Sequence, residues 1–260
     1  MDAETKEYRR GMFTASEMHR LMGGSAGYAT CEFTTEHTCY ERVKIGDSFE
    51  YVPMQEAHKT KKCWKRDNSF LPEGAISYVL EKCGEILDTY RSEGFKTAAT
   101  NWGNEWELTA IAEYERRTGF TLSNTGDEQF FFNNGEYGAT PDGVVFNNDF
   151  MPIIVVDTKC PMAHTHIFNL LFVKTWQDLK KHYPEYFYQS IGQLLCTGAI
   201  QADWVSYRPT MDNDHCYHKI TINRYEVADD IELLQKRLNL AVARKHEFLQ
   251  QIEKMNNECT

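Results

Sequence analysis

The chain has 260 residues, 42% of them apolar, enough for a single large domain with a substantial core. It has no uninterrupted apolar run of about 18 residues, the length a membrane span needs, and its opening MDAETKEYRRGM is polar where a secretory leader is apolar. A soluble chain with no membrane partner, working in the cytoplasm, is therefore expected. A net charge of −10 excludes non-specific coating of nucleic acid by the chain as a whole, while leaving room for a basic channel beside acidic clusters.

The eight cysteines (Cys31, Cys39, Cys63, Cys83, Cys160, Cys196, Cys216 and Cys259) fall at irregular positions. Free thiols in a reducing compartment are the expectation. No C-x-x-C pair occurs, so the close spacing that usually announces a thiolate zinc or iron–sulfur site is missing.

In chain order, Thr14-Ala15-Ser16-Glu17 fits a capping box opening a short helix that ends at Gly23-Gly24, just after Arg9 and Arg10. Residues 25–72 lose periodicity and predict an irregular excursion or an inserted hairpin. Within them, His58-Lys59-Thr60-Lys61-Lys62-Cys63-Trp64-Lys65-Arg66 carries five Lys/Arg and one aromatic. That composition suits either a solvated loop or a grip on a phosphate backbone. Three- and four-residue apolar spacing predicts helices at about 73–88 and 102–118, the second closed by Gly119. β-type runs follow at 129–132, 137–146 and 153–159, the last two joined by a turn at Asn147-Asn148-Asp149. Helices are predicted at 164–173 and 184–197, strands at 204–207 and 218–222, and a long amphipathic helix from about 228 to 255–257. Helices before and after a small sheet make a mixed α/β domain spanning 1–260.

The chemistry lies in Pro141-Asp142-Gly143 and Asp157-Thr158-Lys159. On the expected hairpin Asp142 lies on the first strand, and Asp157 and Lys159, two apart on the second, point to one face. Carboxylates closing the apolar run Ile153-Ile154-Val155-Val156 are costly to bury unless a positive group sits between them. A hard cation such as magnesium suits them, because it takes one or two carboxylates and completes its shell with waters and a phosphate. Asp-Gly after proline is also a common turn, and D-x-K is often a surface pair, so these motifs gain weight from a third element. Glu107 shares a helical stripe with Ala110, Ile111 and Tyr114, and an acid on a buried stripe needs a partner.

These residues carry a resemblance. Arg9-x-Gly11-x-x-Thr14-Ala15-Ser16, Trp102-Gly103-x-x-x-Glu107, Ala139-Thr140-Pro141-Asp142-Gly143, Asp157-x-Lys159-Cys160-Pro161 and Tyr186-x-x-Gln189 together resemble the PD-(D/E)XK nuclease superfamily. Within it they are similar to the YqaJ-like viral recombinases typified by phage lambda exonuclease. The resemblance implies a restriction-endonuclease-like core with a central mixed sheet flanked by helices. It implies two Mg2+ ions, replaceable by Mn2+, held by Glu107, Asp142, Asp157 and the carbonyl of Thr158, with Lys159 and Gln189 in the active site. Arg9, Thr14 and Ser16 would hold the 5′-phosphate of a DNA end, a role that a helix N-terminus beside two arginines also suits.

The implied activity is 5′→3′ exonucleolytic digestion of linear duplex DNA in phage-type recombination, inside the host cytoplasm if the chain is phage-encoded. The implied partners are double-stranded DNA ends, a single-strand annealing protein and further copies in a trimer, although the C-terminal helix is expected to pack within its own subunit. An endonuclease or junction-cleaving enzyme on the same core and a non-catalytic DNA-binding protein with a vestigial fold are the competing readings. The chain departs from the family pattern at Asp157, where Glu is commoner, and at Ile191, where a second glutamine is common and Gln193 follows instead.

Overall fold

The computed structural model describes residues 8–22, 27–36, 38–45, 48–56, 62–67, 71–89 and 98–258. The expected helix end at Gly23-Gly24, the basic residues Lys59 and Lys61, and Cys259 lie outside them.

The architectural centre is a four-stranded sheet of order β11-β10-β9-β8. It comprises β8 (Gly143–Phe146), β9 (Pro152–Lys159), β10 (Gln201–Tyr207) and β11 (Tyr217–Asn223). The β-branched run of β9 is flanked on both edges and covered on both faces, which is why it reads as a continuous apolar string. β8 returns to β9 antiparallel through the predicted turn. β10 lies parallel to β9, and a parallel pair requires a crossover. That crossover contains α3 (Ala163–Phe172), α4 (Trp176–His182) and α5 (Pro184–Thr197).

Strand alternation divides the core between the two sheet faces. Ile154, Val156, Val205 and Tyr207 face α2 (Ala98–Thr118), meeting Ala110, Ile111 and Tyr114. Val155, Ala202, Trp204 and Ile220 form part of the larger core with Phe187, Ile191 and Leu194 of α5. Beyond them lie α1 (Glu73–Leu87), α6 (Ala228–Glu258) and a 3-10 helix over Ala15–Leu21. The apolar stripe of α6, Ile231, Leu234, Leu238 and Ala241, is buried in this same core. Arg237 of α6 also donates to the Leu21 carbonyl at 2.7 Å, and Lys245 donates to that of Gly11 at 2.7 Å. The C-terminal helix thus packs within its own subunit. The 3-10 helix presses on α5 at Gly192, where a Cβ would come within 2.7 Å of Met18 Sδ and 3.0 Å of Ala15 Cβ.

A small sheet, β1 (Phe13–Thr14), β7 (Tyr137–Ala139) and β6 (Phe132–Asn133), joins the N-terminal segment to the middle of the chain. The expected single strand 137–146 is thereby divided. β7 belongs to this small sheet and β8 to the central one, and Thr140-Pro141-Asp142 carries the chain between them. Pro141 has no N–H to give a ladder, so the break falls where backbone chemistry demands it. Residues 129–131 lie outside any strand, leaving β6 as the remnant of that expectation.

Other differences are equally local. Among the described residues between 27 and 67 the chain is not irregular but takes the hairpin alternative, enlarged: β2 (Gly27–Cys31), β3 (Cys39–Ile45), β4 (Ser48–Pro53) and β5 (Cys63–Asp67) make an antiparallel sheet of order β2-β5-β3-β4. Helix α4 has no counterpart among the predicted elements, although Thr175-x-x-Asp178 announces it. Thr175 Oγ1 accepts from the Asp178 N–H at 3.2 Å, and the Asp178 carboxylate accepts from the Thr175 N–H at 3.0 Å. Thr14 and Glu17, which carry the same signature, make no such box. Glu17 instead faces Lys82 of α1 at 3.2 Å.

Candidate active site

The end of β9 is the nucleus of the site. Asp157 lies on the α5 face of the sheet and is 1% exposed, so its charge needs partners. Its Oδ1 accepts from Gln189 Nε2 at 2.6 Å and from Gln193 Nε2 at 3.3 Å. Its Oδ2 meets the Lys159 ammonium at 2.5 Å and accepts no other hydrogen bond among the described residues. Lys159 has the same strand parity as Asp157, and its ammonium also stands 5.3 Å from the ring centroid of Tyr186. Burial alone would lower the Lys159 pKa, but Asp157 and Asp142 outweigh it and hold the amine above its ordinary range, as an ammonium.

Asp142 is not on a strand, as the hairpin expectation had it, but in the connection where β7 gives way to β8. Its N–H donates to the Val156 carbonyl at 2.9 Å, continuing the β8–β9 ladder. Its Oδ2 accepts from the Thr158 N–H at 2.6 Å and from the Thr158 hydroxyl at 3.0 Å. These bonds fix the carboxylate against the end of β9. Burial, with the charges of Asp157 and Glu107 adding to it, pushes the Asp142 carboxyl up to about 7, against the opposing pull of Lys159 and the Thr158 N–H.

Glu107 approaches from α2. The stripe it shares with Ala110, Ile111 and Tyr114 does pack on the sheet, and all three of those residues are buried. Glu107 itself is half-buried one turn nearer the helix start. Burial raises its pKa, and Asp157 adds to that shift while Lys159 and a hydrogen bond from Gln129 oppose it. Gln129 Nε2 donates to Glu107 Oε1 at 2.9 Å. Gln129 carries no signal of this role in the sequence, where it opens the expected β-type run 129–132, because nothing local ties it to a residue of α2.

Three carboxylates from α2, the β7–β8 connection and β9 therefore face one region, where the charge of Asp157 raises the pKa of both Glu107 and Asp142, which fits a site for a hard cation. Their oxygens do not all lie within 4.8 Å of one another. Lys159 supplies the compensating charge.

The N-terminal segment that carries Arg9, Thr14 and Ser16 is tied to the same region of the chain through the pairing of β1 with β7. Thr14 pairs with Gly138 of β7, a few residues before Asp142. The Thr14 and Ser16 hydroxyls lie 3.3 Å apart, and neither hydroxyl caps the 3-10 helix. The Arg9 guanidinium stacks 4.8 Å from the Phe131 ring centroid, where burial lowers its pKa. Arg10 turns away to the Glu85 and Asp88 carbonyls at the end of α1, which makes it a clamp on that helix.

Residues 72–200 match the YqaJ-like viral recombinase domain. The chain belongs to this family. Its fold is similar to that of an alkaline exonuclease from Laribacter hongkongensis, with a TM-score of 0.67 at 20% identity over 100% of both chains. The same protein in complex with dAMP gives the same figures. A phage-related exonuclease from Haemophilus somnus 129PT aligns with a TM-score of 0.60 at 17% identity, covering 94% of this chain and 96% of the other. No curated protein sequence matches the chain.

Within this YqaJ-like frame, the two departures noted in the sequence have structural counterparts. Ile191 is fully buried in the core, so a glutamine there would point away from the site. Gln193, one helical turn beyond Gln189, reaches Asp157 instead. The shorter arm of Asp157, compared with the commoner Glu, is met by both glutamines. Helical spacing from Gln189 is the signal that could have identified Gln193.

Proposed function

We propose that the chain is a magnesium-dependent exonuclease acting on the ends of linear double-stranded DNA. The observation that carries this reading is the convergence of Glu107, Asp142 and Asp157 around the end of β9, with Lys159 in contact with Asp157. Glu107, Asp142, Asp157 and the Thr158 carbonyl would hold the cations, two Mg2+ or Mn2+ in their place. Bound Mg2+ supplies a water of lowered pKa and stabilises negative charge on the phosphoryl oxygens.

The protein's own groups do the rest. Lys159, kept protonated by its acidic neighbours, offsets charge on the scissile phosphate as the phosphodiester is cleaved. Gln189 and Gln193 hold Asp157 so that its second oxygen faces the reacting centre. Asp142 is aimed by Thr158, and Glu107 by Gln129. Arg9, Thr14 and Ser16 would receive the 5′-phosphate, which sets the direction as 5′→3′. The spent strand would leave as mononucleotides, and the exposed 3′ strand would pass to a single-strand annealing protein during recombination. A trimer around DNA belongs to the same reading.

The inserted sheet offers a second contact with DNA. A 390 Å3 cleft there is lined by Arg42, Lys44, Lys62 and Trp64 along with Glu41 and Val43, a mixture of cations and an aromatic face that suits a nucleic-acid strand.

The decisive experiment follows digestion of a linear duplex labelled separately at each end, with Mg2+, beside a closed circle and the Lys159→Ala protein. Release of the 5′ label with the circle intact and the variant inactive is the expected outcome. Cutting of the circle would make the protein an endonuclease, and no cutting with Mg2+ or Mn2+ would make it a DNA-binding protein with a vestigial site.

A further inference from the structure

The inserted sheet places three cysteines on one face. Cys31 of β2 pairs directly with Cys63 of β5, and Cys39 of β3 pairs with Lys65, two residues along β5 from Cys63. Strand alternation therefore directs all three thiols to the same side, while Tyr28, Tyr40, Tyr51 and Trp64 occupy the other. Their Sγ atoms all lie within 4.8 Å of one another, with Cys31 and Cys63 at 3.2 Å. This is the only trio of His, Cys, Asp or Glu so closely gathered among the described residues.

The spacing suits a cation between the sulfurs. A tetrahedral Zn2+ with Zn–S of about 2.3 Å separates its thiolates by about 3.8 Å. Cys39 and Cys63 are buried and Cys31 is half-buried, so the ion would be shielded. The Thr34 N–H donates to Cys39 Sγ at 3.4 Å, the kind of backbone contact that supports a thiolate ligand. The sheet also has a physical need for such a staple, because none of its described side chains belongs to either hydrophobic core.

We propose that Cys31, Cys39 and Cys63 bind a soft divalent cation, Zn2+, which staples the inserted sheet. Each thiol gives up its proton as its sulfur joins the metal, and a water or a further donor completes the tetrahedron. No oxidant is consumed. The site is independent of the carboxylate centre, whose hard oxygens favour magnesium.

The test uses the full chain, reduced and freed of metal, titrated with Co2+ as a spectroscopic stand-in for zinc. One equivalent should give near-ultraviolet thiolate-to-cobalt charge transfer and intense tetrahedral bands in the visible, both erased by stoichiometric Zn2+. The combined Cys31→Ser, Cys39→Ser and Cys63→Ser protein should lose them, and Cys196→Ser should keep them. To guard against a triple variant that fails to fold its sheet, alkylation of the unaltered protein supplies a second reading: Zn2+ should protect the peptides carrying Cys31, Cys39 and Cys63 at least tenfold over Cys196. No charge transfer with all thiols reduced, bands that persist in the triple variant, equal alkylation with and without zinc, or a Cys31–Cys63 disulfide in protein freshly isolated from a reducing cytoplasm would each overturn the proposal.

Discussion

The molecule contains two four-stranded sheets that are held together by different physics. The central sheet has apolar side chains on both faces, with Trp204, Val155 and Val156 fully enclosed between helices. None of the described side chains of the inserted sheet belongs to either core. One of its faces carries an aromatic cluster, in which Tyr28 stacks on Tyr51 at 3.8 Å and meets Tyr40 edge-on at 5.0 Å. The other face carries the cysteines. A sheet enclosed in a core can hold carboxylates at fixed positions, since its strands cannot shift without opening that core. A sheet outside the core can be lost or altered without disturbing the catalytic geometry, and it is free to serve as an accessory surface.

The contrast is broken first through the central sheet, at the proposed active site. Lys159→Ala should lower DNA hydrolysis by a factor on the order of 10²–10³, measured as initial rates at saturating Mg2+, while the folded state remains visible by circular dichroism. Undiminished activity would remove Lys159 from the chemistry. Packing provides the next comparison. Trp204→Ala should destabilise the whole protein by about 3–5 kcal/mol in denaturant unfolding. Tyr51→Ala should cost about 1 kcal/mol, the worth of one aromatic pair, and leave the main transition in place. Equal losses would mean that the two sheets unfold as one.

Gln193→Ala should weaken apparent metal affinity by about tenfold, as the loss of a group that orients a ligand does; isothermal titration with Mn2+ would read it. Weakened binding at Gln189 and none at Gln193 would assign the role to one glutamine alone.

The carboxylates sharpen the same point through pH. The Asp142 carboxyl is raised to about 7 in the folded protein, above its unfolded value of about 3.9. The folded state therefore binds the extra proton between those limits, and metal-free stability declines as pH rises from about 4 to about 7. On the proposed reading, Mg2+ would oppose that loss by binding the ionised form. The Mg2+-induced rise in melting temperature should be larger at pH 8 than at pH 6, and an equal rise would place the cation elsewhere.

The smallest effect is expected on the inserted sheet. Lys44→Glu with Lys62→Glu should leave the hydrolytic rate at saturating DNA unchanged. It should reduce the slope of log affinity against log salt by about 0.9 for each phosphate that the sheet no longer neutralises. An unchanged slope would take DNA away from this cleft.

Much of the central sheet was legible because periodicity and burial coincide there. The bounds of α1 and α5, the apolar run of β9 and the stripe of α6 follow from patterns that only a packed core imposes. The site was legible for a related reason. Charged residues closing an apolar strand, or standing on an apolar helical stripe, contradict their surroundings, and Asp157, Lys159 and Glu107 all do so. The sequence motifs likewise sufficed to point to the YqaJ-like family that the comparison then gave.

Only the tertiary structure decided the remainder, because it depends on contacts between residues remote in the chain. Nothing local distinguishes the Thr14-Glu17 box that does not form from the Thr175-Asp178 box that does; Glu17 is drawn to Lys82 on α1. Asp142 left its expected strand because β7 and β8 pair with different sheets. Gln129 found Glu107, and Gln193 found Asp157, through the packing of a loop and a helix on the site. The cysteines are the clearest case. Cys31, Cys39 and Cys63 have no metal-binding spacing along the chain, yet strand pairing brings their sulfurs together. A ligand set assembled by sheet register leaves no periodic mark in sequence, since register is fixed by which strands meet and not by what lies next to each residue.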